Sequence, residues 1–93
     1  MIRSFADKHT EALFEEGICH RNWRMIEKIA LRKLDQLNNV AGISDLAVPP
    51  GNRLERLRGD RKGQWSIRIN DQYRLCFRWE GDDAFDVCIV DYH

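Results

Sequence analysis

Pro49-Pro50-Gly51 divides this chain into two parts with different hydrophobic periods, and that switch restricts its possible folds more than any other feature. Proline lacks the N–H that a helix needs and its ring fixes φ, so no helix crosses this point easily. Upstream, Trp23, Ile26, Ala30, Leu34, Leu37 and Ala41 recur at helical spacing, while Arg24, Lys28, Arg32 and Lys33 take other faces. Asn22 is the expected cap of that helix. An earlier helix is expected after Asp7, a candidate N-cap, with Gly17 as its stop. Met1–Phe5 alternates weakly and predicts a short strand, and 43–51 predicts a turn of helix or an irregular connector.

Downstream of Gly51 the period becomes two. Trp65, Ile67 and Ile69 point one way and Ser66 and Arg68 the other; Tyr73, Leu75, Phe77 and Trp79 point one way and Arg74, Cys76 and Arg78 the other. Residues 84–92 are apolar on both faces, as in a strand well inside a sheet. A strand, two helices and then several antiparallel strands predict one α+β domain over 1–93, with helices packed on one face of a mainly antiparallel sheet. Ninety-three residues leave little room for a second core.

The N-terminus has early charges and no apolar run, so neither a signal peptide nor a membrane span is expected. Cys19, Cys76 and Cys88 are an odd set without C-x-x-C spacing, which predicts no disulfide framework, no zinc site and a reducing cytoplasm. Cys76 and Cys88 fall inside strand patterns and are expected to be small buried hydrophobes.

The chain has no net formal charge, yet its charges are segregated. Residues 51–78 carry eight basic side chains (Arg53, Arg56, Arg58, Arg61, Lys62, Arg68, Arg74, Arg78) against three acidic ones, and 79–93 carry five acids and no Lys or Arg. Fields act locally, so a positive cleft still attracts phosphates.

The apolar faces set the register of the central hairpin. If Trp65, Ile67 and Ile69 share a core with Tyr73, Leu75 and Phe77, Ile69 opposes Tyr73 across a three-residue loop, Asn70-Asp71-Gln72. A two-residue loop would throw one apolar set into water. The predicted register sets Arg68 opposite Arg74 on the face away from the core, where like charges cost a few tenths of a kcal/mol to about 1 kcal/mol. Asp86 or Asp91 on the next strand, a ligand phosphate, or plain solvation would each relieve that repulsion. A basic face interleaved with aromatics suits single-stranded RNA, whose bases stack while its phosphates pair with arginine. Trp65, Phe77 and Trp79 are expected in the core, and Tyr92 is the aromatic expected to be accessible.

His9, His20 and His93 match no metal motif, and His9 and His20 are expected at the surface. His93 differs because Asp91 and Tyr92 stand beside it, bringing an acid, a phenol and an imidazole together at the terminus. Phosphate loops and acyl-transfer motifs are missing from the sequence.

The block L-x-G-D-R-x-G-x-x-S-I-R-I-N-x-Q-x-R at 57–74, followed by V-D-Y-H at 90–93, resembles the HigB branch (plasmid-maintenance killer proteins) of the RelE/ParE-type toxin superfamily. The resemblance spans essentially the whole chain. It implies a compact RelE-like microbial RNase-type domain, and a toxin of a type II toxin–antitoxin module that cuts messenger RNA on the translating ribosome without metal or other cofactor. The 2′-hydroxyl attacks the adjacent phosphate in such RNases, so a base, a charge stabiliser and an acid are required. Arginines suit the second role because they stay ionised and fork onto phosphate oxygens.

Carried across by position, Arg58 and Arg74 match the family's basic residues, and Asp91, Tyr92 and His93 its terminal acid, base-stacking aromatic and histidine. Some members have a histidine where this chain has Glu55, which is then a candidate general base or a partner of Arg53 or Arg58. The catalytic set is thus Arg74, Arg58, Asp91, His93 and Glu55; the RNA-binding set is Arg53, Arg56, Arg61, Lys62, Arg68 and Tyr92. The implied partner is a HigA-type helix-turn-helix antitoxin, which alone would contact operator DNA; ribosome and mRNA are the implied targets, and no membrane is involved. A ParE-like toxin that inhibits DNA gyrase without cutting RNA is the second reading, because the two share a fold. A non-enzymatic RNA-binding module is the third.

Overall fold

Asp7 opens the first helix, α1 (Lys8–Glu16), by accepting the backbone N–H of Thr10 at 2.7 Å and the Thr10 hydroxyl at 2.8 Å. That hydroxyl, fully buried, in turn accepts the N–H of Ile89 at 3.1 Å, so the cap also ties the helix to the sheet. Gly17 closes α1 in the left-handed region, with φ of 70°. The computed structural model describes residues 1–92.

The long periodic segment begins differently from expectation. Residues Arg21–Ile26 form a 3-10 turn capped by His20, whose Nδ1 accepts the Asn22 N–H at 3.1 Å; Asn22 itself caps nothing. The α-helix proper, α2, runs Glu27–Asn39 and buries Ala30, Leu34 and Leu37. Ala41 lies past its end and is exposed. Two short 3-10 turns, Ile43–Ala47 and Pro50–Asn52, make up the connector.

Four antiparallel strands follow in spatial order β1 (Glu55–Arg56), β2 (Gln64–Arg68), β3 (Tyr73–Glu80) and β4 (Asp83–Asp91). The N-terminal segment is not a regular strand; it adds two isolated parallel bridges to β4, at Ile2–Ala84 and Phe5–Val87.

The central hairpin has the expected register. Arg68 opposes Arg74, and Ile69 donates its N–H to the Tyr73 carbonyl at 3.0 Å. Asn70 Oδ1 secures the turn by accepting the N–H groups of Gln72 (2.9 Å) and Tyr73 (2.7 Å). Helix residues Leu13, Ile26, Ala30, Leu34 and Leu37 bury against Ile67, Ile69, Leu75, Phe77, Val87 and Ile89 on one sheet face. The opposite face carries its own small apolar cluster of Leu57, Cys76 and Cys88, with Val90 packed beside it.

Asp7→Ala removes both the cap and the partner of a buried hydroxyl, and is expected to cost about 1–2 kcal/mol. Urea unfolding checks this: the midpoint should fall with an unchanged slope, while Asp7→Asn recovers most of the loss.

Candidate functional site

Alternation along β2 and β3 carries Arg68 and Arg74 to the sheet face away from the helices, and the segment 53–63 folds over that face. The facing guanidiniums are neutralised separately. Arg68 pairs with Asp71 in the hairpin turn, and Arg74 Nη1 pairs with Glu55 on β1 at 3.0 Å. Neither Asp86 nor Asp91 performs this role. Asp86 accepts from Arg78 Nε at 3.1 Å, and Arg78 also pairs with Glu80 and lies 5.0 Å from the Phe85 ring centroid. Arg78 belongs to a β-bulge between Cys76 and Arg78, beside Asp86 at φ 54°, which shifts the ladder there.

Arg74 is the most constrained cation of the face. Its side chain is 13% exposed, its Nη2 donates to the Arg53 carbonyl at 2.7 Å, and its guanidinium lies 5.5 Å from the Tyr92 ring centroid. The Nε of Arg74 is buried and has no hydrogen-bond partner among the described residues. Tyr92 is 44% exposed, as expected, and its N–H bonds to the Gln72 carbonyl at 2.7 Å.

Tyr92 stands between two depressions. A groove of about 930 Å³ is lined by Glu55, Arg56, Leu57, Arg58, Gly59, Lys62, Gly63 and Tyr92. A hollow of about 260 Å³ on the other side is lined by Arg53, Arg68, Asn70, Asp71, Arg74 and Tyr92. Among the described residues, no acid pairs with Arg53, Arg58 or Lys62. Arg56 is stacked on the Trp65 ring at 5.2 Å, which fixes its guanidinium at the groove wall. Arg61 is turned inward, donating to Gln64 Oε1 at 3.2 Å and to Cys88 Sγ at 3.9 Å. It props the loop and lines neither depression.

Asp91 is not brought to the arginines. It opposes Tyr73 on the ladder, accepts from Gln72 Nε2 at 3.1 Å, and lines a separate cleft with His9, His20, Trp23 and Tyr73. His9 is exposed and His20 half-buried, as expected of surface residues, and their rings meet edge-on with centroids 4.4 Å apart, both packing against Trp23. His93 lies outside the described residues. No cluster of three or more metal-ligating side chains occurs among the described residues. No helix among them is long and apolar enough to cross a membrane.

Asn52 escaped sequence reasoning. It is fully buried, accepts from the Lys33 ammonium, and donates to Gln36 Oε1 (3.0 Å) and the Leu46 carbonyl (3.1 Å). Burial foremost, then the nearby positive charges of Arg32 and Arg68, lowers the Lys33 pKa. A polar residue just after Pro-Pro-Gly was the available signal, but a loop asparagine is ordinarily solvated.

Residues 3–93 match the family described as "RelE-like toxin of type II toxin-antitoxin system HigB". The chain belongs to the HigB-like toxin family. Within the family it is similar to Toxin HigB-1 of Vibrio cholerae, 46% identical over 80 residues, which cover 85% of this chain and 84% of the relative. It is also similar to Endoribonuclease HigB of Proteus vulgaris, 30% identical over the full length of both. Its fold is similar to the solved YoeB-YefM complex from Staphylococcus aureus, with a TM-score of 0.58, 18% identity, and coverage of 100% of this chain and 95% of that one. YafQ from Escherichia coli gives the same TM-score at 15% identity, covering 99% and 92%. The expected fold of this HigB-like chain is therefore the observed one, and its cationic groove is lined by β1, by residues of the 57–63 loop that opens the 57–74 block, and by Tyr92.

Cys76, beneath the groove, has its thiol pKa pushed up to about 11 by burial foremost and then by the neighbouring Cys88. The unfolded thiol ionises near 9, so its contribution to stability is complete below pH 9 and is lost as pH rises through 11. The urea midpoint should fall between pH 8 and pH 11, and fall less in Cys76→Ala.

Proposed function

We propose that this HigB-like toxin is a ribosome-dependent mRNA endoribonuclease that arrests translation in the cytoplasm and is held in check by a HigA-type helix-turn-helix antitoxin. The observation that carries the proposal is Arg74: a nearly buried guanidinium whose Nε has no partner among the described residues, lining one cation-lined depression and flanked by an accessible tyrosine that separates it from a second. A phosphodiester passing over Tyr92 would lie between Arg58 and Lys62 on one side and Arg53, Arg68 and Arg74 on the other. Its base would stack on Tyr92. The relative named an endoribonuclease supports RNA cleavage over gyrase inhibition.

In the proposed reaction the ribose 2′-oxygen attacks the adjacent phosphorus and the bond to the 5′-oxygen breaks. The products are a 2′,3′-cyclic phosphate and a 5′-hydroxyl. Glu55 borders the groove, half-exposed, and takes the 2′-hydroxyl proton. Arg74 and Arg58 hold the charge that accumulates on the non-bridging oxygens, in a site where a fixed cation costs no reorganisation. His93 supplies the proton to the departing 5′-oxygen. Asp91 acts from the helix side of β4, where its bond to Gln72 steadies the strand end that carries Tyr92 and His93. Arg56 and Arg61 shape the groove through Trp65 and Cys88.

Primer extension on one defined mRNA, with and without translation blocked, tests the reading. Wild type should produce cuts that require translation, and Arg74→Ala should lose them by about a hundredfold or more while remaining folded. Arg74→Lys should recover only part of the rate, because an ammonium cannot replace the fork. Growth arrest with intact mRNA would move the target to gyrase. A tag fused after His93 should blunt cleavage; full activity in the tagged protein would exclude Tyr92 and His93 from the chemistry.

A further inference from the structure

Arg74 has two partners of different kinds. Glu55 is a half-exposed side chain on a two-residue strand. The Arg53 carbonyl is main chain, 2.7 Å from Nη2, and its direction is set by an unusual backbone. Arg53 has φ 47° and ψ 54°, the left-handed region that disfavours any residue with a Cβ. Such a conformation persists only where the surroundings over-determine it.

Asn52 supplies that constraint. Its amide is fully buried and anchored at both ends, with Oδ1 accepting from Lys33 on α2 and Nδ2 donating to Gln36 on α2 and to the carbonyls of Leu46 (3.1 Å) and Val48 (3.3 Å). The N–H groups of Asn52 and Arg53 close onto the carbonyls of Pro49 (2.9 Å) and Pro50 (3.1 Å). With the side chain and the turn both fixed, the peptide after Arg53 has one direction left.

We propose that Asn52 and the left-handed Arg53 are positioning residues for Arg74, relaying the placement of helix α2 through a buried amide to a main-chain carbonyl that sets the angle of the guanidinium. This rests on the assignment of Arg74 to the scissile phosphate. The division of labour has a physical sense. A carbonyl is neutral and rigid, so it orients the guanidinium without cancelling the charge that a phosphate needs. Glu55 is charged and half-exposed, so an arriving phosphate can displace it.

Arg53→Gly and Arg53→Val separate the main chain from the side chain. Both remove the guanidinium, but glycine enters the left-handed region freely whereas a β-branched residue is strongly excluded from it. In single-turnover cleavage of a defined mRNA on translating ribosomes, Arg53→Gly should raise the half-saturating concentration through one lost phosphate contact and keep the saturated rate within about threefold. Arg53→Val should show the same rise in half-saturation together with a saturated rate lower by about tenfold or more. The ¹⁵N guanidinium resonances of Arg74 provide a readout independent of cleavage, and should move in Arg53→Val but not in Arg53→Gly. Equal saturated rates in the two folded variants, or an unmoved Arg74 resonance in Arg53→Val, would overturn the proposal. If Arg53→Val does not fold, Arg53→Asn and Arg53→Ala repeat the contrast, since asparagine tolerates the left-handed region better than alanine. Should wild type cut no RNA at all, the nuclease reading fails, and the resonance comparison still decides whether the carbonyl holds Arg74.

Discussion

A turn of three residues at 70–72 determines which side of the sheet every residue of β2 and β3 reaches. Side chains alternate strictly along a strand, so a register slip of one position would carry Ile67, Leu75 and Phe77 out of the helix-facing core. The same slip would withdraw Arg68 and Arg74 from the outer face and dismantle the Leu57–Cys76–Cys88 cluster on which the 53–63 segment rests. Core and site therefore share one determinant. Asn70 enforces it locally, by holding two backbone N–H groups of the turn with a single carbonyl oxygen.

The register also creates the electrostatic problem that organises the outer face. Two guanidiniums opposed across adjacent strands need counter-charges, and they receive different ones: Asp71 from within the hairpin and Glu55 from the edge strand β1, on the far side of β2. Arg78 is satisfied further along by Glu80 and Asp86. Acid is thus concentrated at the ends and edge of the sheet, while among the described residues no acid pairs with Arg53, Arg58 or Lys62 around Tyr92. This arrangement reconciles a chain of zero net charge with a locally cationic groove.

What was legible in the sequence follows the range of the interactions involved. The cap at Asp7, the stop at Gly17, the Asn70 turn and the Arg68–Arg74 opposition all depend on residues within a few positions of one another, or on the alternation of one hairpin. Glu55 as the partner of Arg74 was not legible, because β1 is two residues long and has no periodicity to project. Asn52 was hidden for a related reason: its anchors lie on a helix sixteen and nineteen positions earlier. His20 displaced Asn22 as cap because the segment starts as a 3-10 turn, and helical spacing does not distinguish that from a first α-turn. The bulge at Cys76–Arg78 sent Asp86 to Arg78, and nothing in the alternation announces an extra residue.

Tyr92 is held to its neighbour by the last rung of the β3–β4 ladder, a single N–H donated to Gln72. Terminal rungs open at a small fraction of the free energy that unfolds a domain, since few buried contacts are lost with them. Beside that bond, Tyr92 has the contact of its ring with the guanidinium of Arg74, which is itself firmly held. Opening of that rung would part Tyr92 from Arg74 while the domain stays folded, so the fraction of molecules presenting the two as one surface is a quantity separate from the fraction that is folded.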